Sequence, residues 1–349
     1  MSAEPLNAKR HPESRQPAPI SIAVRPYVRG QDDEIRVDLY NRAHAEDEDF
    51  VPSTVEETRR WDQSPQEPHR HRFIAALDGI PAGVAFAYVD PYRTDGKGMM
   101  SGPHVPPELR RRGVGTALAR TVLADLTQRG RTTAEAHERD RADISGFLAS
   151  LGFKPIRRFS EMGRPLSDPP RGIGESAEAE VAVVEPTPEV LASIIAIENE
   201  AFKEHFNFRP FTLPELEFAV RASAEEGTVS HIALARVGGV PVGYLWYGYD
   251  PKEVAHLKKN RGGLWDIGVL KPFRRRGVAK TLMLAGMKHL REDGMDEVRL
   301  YVDDTNVTGA HHLYERLGFA LVRRDLVHAK DLGSTGQKPL QPDGSPKER

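Results

Sequence analysis

The run Arg274-Arg275-Arg276-Gly277-Val278-Ala279-Lys280 sets three guanidinium groups and an ammonium group around a glycine. Behind it, Val278, Leu282 and Ala285 recur with the spacing of one helix face, and ahead of it Leu264 to Val269 reads as a strand. The chain therefore turns directly from strand into helix. A helix's first turn leaves backbone N–H groups unpaired and carries the positive end of the helix dipole, so it holds a phosphate when side chains leave the approach open. Gly277 and Ala279 leave it open, and Arg274, Arg275, Arg276 and Lys280 add formal charge. The same residues would also make an ordinary basic helix start on a solvated surface, and the turn alone does not choose between the two.

Downstream, Val298, Leu300 and Val302 alternate like a strand. Asn306 then opens a helix in which Ala310, Leu313, Tyr314 and Leu317 share a face, and Gly318-Phe319 ends it. With R-x-x-G-x-A followed by N-x-x-x-A-x-x-L-Y-x-x-x-G-F, the chain resembles the GNAT acyltransferase superfamily, whose members move an acyl group from acyl-CoA to an amine. Arg274 to Ala279 match the family's pyrophosphate loop. Asn306 and Tyr314 match an Asn that touches the CoA arm and a Tyr beside the thioester sulfur. The resemblance implies an α/β fold of α+β character, a mostly antiparallel mixed sheet flanked by helices with a splayed central strand pair. It also implies acetyl-CoA as cosubstrate, held by Val269, Arg274, Arg275, Arg276, Gly277, Val278, Ala279, Lys280 and Asn306.

Attack of a neutral amine on a thioester needs a stabilised oxyanion, a proton for the departing thiolate and a sink for the amine proton. In the family the oxyanion contact is a backbone N–H where the fourth strand splays from the fifth, at or beside Val269 here. Tyr314 is the acid, since a phenol of pKa about 10 matches a thiolate leaving group; the alternative is a tyrosine packed in the core. Asn306 has a second reading as a helix N-cap and can serve in both ways. The base is harder to place. The fourth-strand slots where relatives carry Glu or His hold Trp265 and Gly263, and a fifth-strand slot holds Tyr301. Asp266 lies on the opposite register and reaches the site only through a bulge. His205, in the loop Lys203 to Phe211 that the family uses to line the acceptor pocket, has a suitable intrinsic pKa, and Phe206 stands beside it.

The composition agrees with that reading. The 349 residues allow two domains of ordinary size. A net charge of −2 supplies no global positive field for nucleic acid or anionic membrane. The absence of cysteine excludes disulfides, Cys-based zinc sites and a thiol nucleophile, and it fits a cytoplasmic protein. No apolar run has the length of a membrane span, and the polar start Met1 to Pro19 lacks the core of a signal peptide.

The chain also repeats itself. Gly83 and Gly243 lie in matching hairpins 160 residues apart, Arg110-Arg111-Arg112-Gly113-Val114-Gly115 precedes its counterpart loop by 164, and Leu151-Gly152-Phe153 precedes Leu317-Gly318-Phe319 by 166. That period marks a duplication of whole domains. Residues 20–162 form the N-terminal copy, a Pro/Gly-rich linker spans 163–178, and 179–332 form the C-terminal copy. Disordered tails are expected at 1–19 and 333–349. The N-terminal copy keeps a phosphate loop in Arg110, Arg112, Gly113 and Gly115, but Leu148 replaces Tyr314 and Asp140 replaces Asn306. It reads as catalytically degraded, and the chain resembles tandem members of the superfamily, the mycothiol synthase type, without that type's fourth-strand glutamate.

The expectation is an acetyl-CoA-dependent N-acetyltransferase acting on a small-molecule or peptide amine by direct attack. The site proposed from sequence comprises Tyr314 and Val269 for chemistry and His205, Phe206, Trp265 and Asp266 for the acceptor. No metal, nucleic acid or membrane partner is required, and the protein is expected as a monomer or homodimer. A non-catalytic CoA-binding regulator is the alternative.

Overall fold

The computed structural model describes residues 20–167, 178–306 and 308–333. The expected tail 1–19, the expected tail 333–349 apart from Gly333, and most of the expected linker lie outside the described residues. In the N-terminal copy the order is β1 (Ile22–Pro26), α1 (Asp33–His44), α2 (Val55–Trp61), β2 (Arg70–Leu77), β3 (Ile80–Tyr88), β4 (Lys97–His104), α3 (Val114–Gln128), β5 (Thr133–Arg139), α4 (Ala142–Ser150) and β6 (Lys154–Pro165). The C-terminal copy repeats it as β7 (Glu180–Val184), α5 (Pro188–Ala201), α6 (Leu213–Glu225), β8 (Val229–Val237), β9 (Val240–Tyr249), β10 (Arg261–Val269), α8 (Val278–Glu292), β11 (Glu297–Asp303), α9 (Ala310–Arg316) and β12 (Ala320–Asp331). One helix, α7 (Pro251–Leu257), is added between β9 and β10.

Local chemistry sets these boundaries. Thr54 caps α2 through a reciprocal capping box with Glu57, and Thr212 does the same for α6 with Glu215. The two hairpin turns, Asp78-Gly79 and Gly238-Gly239, have φ of 51° and 81°, and of 55° and 81°. Paired positive φ values are those of the tight hairpin turn that suits the strand twist. On β9, Leu245 and Tyr247 pack under α8 while Tyr244 and Trp246 face α5 and α6, so the sheet separates two apolar layers.

Among the described residues, the twelve strands belong to one sheet, in the order β1-β2-β3-β4-β5-β12-β6-β11-β10-β9-β8-β7. Each copy is closed by a strand of the other. β12 pairs with β5 from Asp325↔Arg139 to Asp331↔Thr133, and β6 pairs with β11 from Phe159↔Asp303 to Pro165↔Glu297. The two exchanged strands pair with each other in the middle. β6 thus runs three residues into the stretch read as linker, and β12 extends to Asp331. Both extensions are paid by ladder bonds that a single copy does not offer.

The splayed pair is present in both halves. β10 pairs with β11 only over Arg261–Leu264, after which β10 follows β9 to Val269 and β11 follows β6 to Asp303. In the N-terminal copy β4 and β5 pair only over Lys97–Met99. A gap opens beyond these points, and the site lies beside it.

Candidate active site

The register between β9 and β10 shifts between Leu264 and Asp266. Leu264 lies in the core beneath α8. Without the shift, Asp266 would share that face; the extra residue, Trp265, turns it to the face that carries Tyr244. Trp265 itself is 44% exposed and meets Trp246 edge to face at 6.2 Å. The bulge that sequence reasoning required of Asp266 is therefore in place.

Asp266 joins a cluster. The Tyr244 hydroxyl lies 2.6 Å from Asp266 Oδ2 and also contacts Glu198 Oε2. A phenol has one proton, so it donates to one carboxylate and must accept from the other, which is then protonated. The environment agrees. Burial and then the Asp266 charge push Glu198 up to about 8, burial raises Asp266, and burial raises Tyr244 well above an ordinary phenol. The two carboxyls hold one proton between them as a coupled pair. Glu198 and Tyr244 were not among the residues singled out from sequence. Glu198 had a signal: it falls on the α5 face defined by Leu191, Ile194 and Ala201, a carboxylate in an apolar stripe.

Tyr314, on α9, is 6% exposed and packs against Phe319 with ring centroids 6.2 Å apart. Burial first and the nearby Asp266 charge second raise its pKa to about 12. The tyrosine is thus neutral and within electrostatic reach of the carboxyl pair. At the end of β10, Leu270 N–H donates to Val242 O on β9. Because successive N–H groups on a strand point to alternate sides, Val269 N–H points away from β9, into the gap left by β11.

The basic turn leads into α8 through Gly277 at φ 86°, with Arg275 also left-handed at φ 65°. The counterparts Gly113 and Arg111 stand at 89° and 62°. Gly277 needs its glycine for this conformation, and the result is a helix start with open N–H groups. Arg274 differs from its expected role. Its guanidinium turns inward, with Nε donating to Val269 O at 3.0 Å and Nη2 to Ala201 O at 2.7 Å. Arg110 does the same with Val105 O and Ala43 O. In both copies this arginine ties strand to helix and is not spare charge. Arg275 is exposed, Lys280 is half-buried, and Arg276 stacks over Phe273 and lies 3.4 Å from Glu178.

Other expected residues fall elsewhere. Asn306 does not cap α9: the helix begins at Ala310 after Gly309, and Asn306 Oδ1 accepts from Thr308 N–H and Oγ1–H. His205 is half-buried against Phe202, with burial lowering its pKa. Phe206 is spent between the halves, its ring 5.0 Å from both Lys97 Nζ and Arg157 Cζ. Tyr301 donates to Asp325 Oδ2 at 2.6 Å and, its one proton so used, accepts from His137 Nε2 at 2.9 Å, away from the carboxyl pair. In the N-terminal copy, Leu148 is buried, and Arg139 and Arg141 pair with Glu48 O, Asp47 and Asp143, leaving Asp140 without their charge.

An acyl-transfer architecture of this kind, duplicated along one chain, is what the comparisons find. The model of the acetyltransferase (GNAT) family matches residues 37–153 and 191–319, so the chain belongs to that family, once in each copy. It is an acetyl-CoA-dependent N-acetyltransferase by that membership. Among curated proteins it is 30% identical to a mycothiol acetyltransferase of Thermomonospora curvata, over 74% of this chain and 82% of that protein. A second, from Salinispora arenicola, is 32% identical over 74% and 80%. The tandem GNAT protein of the clavulanic acid biosynthesis pathway shares the fold at a TM-score of 0.71 and 15% identity, over 90% of this chain and 99% of that one. A GCN5-related N-acetyltransferase from Sphaerobacter thermophilus does so at 0.63 and 22%, over 89% and 96%.

Proposed function

We propose that the C-terminal copy acetylates a primary amine by direct attack, with Tyr314 as general acid and the Glu198/Asp266 pair as the proton sink. The observation that carries this reading is the buried Glu198–Tyr244–Asp266 cluster on the β10 bulge, next to the point where β10 parts from β11. Acetyl-CoA supplies the thioester carbonyl and the thiolate leaving group. The open N–H groups behind Gly277, with Arg275 and Lys280, hold its phosphates. Val269 N–H donates to the developing oxyanion. The pair, ionised once its shared proton has left, takes the ammonium proton that forms on attack and so returns to the shared-proton state, and Tyr314 gives its proton to the sulfur.

The proton stored on the pair explains why two carboxyls are used. A lone buried carboxylate at this position would either be too acidic to accept a proton or be permanently protonated, whereas a shared proton holds the pair near neutrality. The acceptor we assign is the amine of a small polar molecule, and the names of the relatives put an amine of the mycothiol type first among those to test.

The test follows thiol release from acetyl-CoA across a panel of primary amines, with the acetylated product identified by mass. One class of amine is expected to turn over, and Tyr314→Phe to keep CoA binding and lose about 10²-fold or more in kcat. CoA binding without turnover on any amine would favour the regulator reading, and a near-native kcat in Tyr314→Phe would remove the tyrosine from the mechanism.

A further inference from the structure

A second cluster lies where α8 crosses the other face of the sheet. His231 on β8, His289 near the end of α8 and Asp293, the residue that caps that end, bring one donor atom each to within 4.8 Å of one another, all three half-buried. His231 Nε2 and Asp293 Oδ2 are 3.2 Å apart, and the two imidazole centroids 4.3 Å. Asp293 caps α8 in a helical backbone conformation four residues after His289, so the two stand on the same side of the helix end. Tyr247 lies 2.8 Å from His289 Nδ1, which leaves His289 Nε2 as the free donor. With Nε2 occupied, Nδ1 carries the imidazole proton and donates it to the Tyr247 hydroxyl oxygen.

The N-terminal copy shows what this place requires. The hairpin offset of 160 and the helix offset of 164 equate His231 with His71, His289 with Asp125, and Asp293 with Arg129. There His71 Nδ1 meets Asp125 Oδ1 at 2.7 Å, and Arg129 brings its guanidinium 3.5 Å from Asp125 Oδ2. The first copy carries its own cation at the end of the helix, between helix and sheet. The second has replaced that cation by a carboxylate and the carboxylate by an imidazole.

We propose that His231, His289 and Asp293 bind a divalent transition ion of the zinc class in the position that Arg129 fills in the N-terminal copy. Two neutral imidazoles and one carboxylate suit Zn2+ and not Mg2+ or Ca2+, which take oxygen ligands. Bond lengths near 2.1 Å put the donors around a tetrahedral ion roughly 3.4 Å apart, close to the His231–Asp293 spacing of 3.2 Å, and the three donor atoms already lie within 4.8 Å of one another. The fourth position is left to water. The ion clamps the C-terminal end of α8, the helix whose other end forms the Gly277 turn, to β8.

The experiment uses the full chain without a histidine tag and titrates Zn2+ alone by calorimetry, with Mg2+ as control, and Co2+ by visible absorption. One Zn2+ per chain is expected, with a raised melting temperature and the visible bands of a low-coordinate Co2+ site. Asp293→Arg, which copies the N-terminal arrangement, is expected to lose the site while melting no lower than the metal-free wild type. His231→Ala is expected to lose it too, and Tyr247→Phe to weaken it about ten-fold or more. No saturable Zn2+ binding by the wild type, or binding unchanged in Asp293→Arg and His231→Ala, overturns the assignment.

Discussion

The proton inventory of Glu198, Tyr244 and Asp266 controls the chemistry at the residue scale. With Glu198 pushed up to about 8, the pair becomes fully ionised only as pH rises through that value. A base works in its ionised form, so kcat is expected to rise with pH and level off above about 8. Glu198→Gln removes the partner that holds the shared proton while keeping the volume. It should lower kcat by about 10²-fold or more and abolish the inflection near 8, read on kcat because that quantity reports the bound complex. An unchanged profile in Glu198→Gln would take the pair out of the reaction. Sequence reasoning came within one element of this site. It weighed Asp266 and named the bulge that it needed, but a bulge depends on which residues of β9 lie opposite, and those are known only when the strands are paired.

At the scale of elements, the strand-to-helix turn has two parts that sequence treated as one. Gly277 and the open helix start are an anion site, whereas Arg274 is a tie between β10 and α5. Gly277→Glu sets a bulky anion where a phosphate belongs, in a left-handed conformation that glutamate adopts poorly. CoA affinity is expected to fall by about 10²-fold or more while circular dichroism stays native, and unchanged affinity by calorimetry would move the cofactor elsewhere. The tie has no such signature. Three arginines in a row look alike in sequence, and only the carbonyls of Ala201 and Val269 show which of them turns inward.

At the scale of the molecule the copies are interlocked. Besides the exchanged strands, Asn207 receives from Lys97 and Arg93 and donates to Glu135, Arg209 pairs with Asp90, and Lys252 pairs with Glu57. Residues 20–167 expressed alone would leave the edge of β5 without β12 and β6 without β11. That half is expected to aggregate or self-associate on size exclusion, and the full chain to unfold in one transition; a monomeric, cooperatively folded half would show that the exchange is dispensable. The division of labour is a separate matter. The N-terminal positions matching Glu198, Tyr244 and Asp266 hold Tyr40, Val84 and Gly102, and Leu148 cannot protonate a thiolate. Gly113→Glu is therefore expected to leave single-turnover acetyl transfer within about two-fold of wild type, and loss of that step with retention in Gly277→Glu would make the N-terminal copy the enzyme.

What was legible in the sequence was whatever a short stretch decides by itself. The matching hairpins, the glycine that starts α8 and the face on which Tyr314 stands all follow from residues within a turn or two of each other. The duplication was legible for the same reason, since each copy repeats those local signals. What depended on distant chain was decided only in three dimensions. Neighbouring strands were chosen between two copies with equivalent edges, so β6 and β12 found each other's domain. The carboxyl pair formed because one register shift on β10 turned Asp266 toward a helix that lies nearly seventy residues earlier, where burial made two acids share a proton.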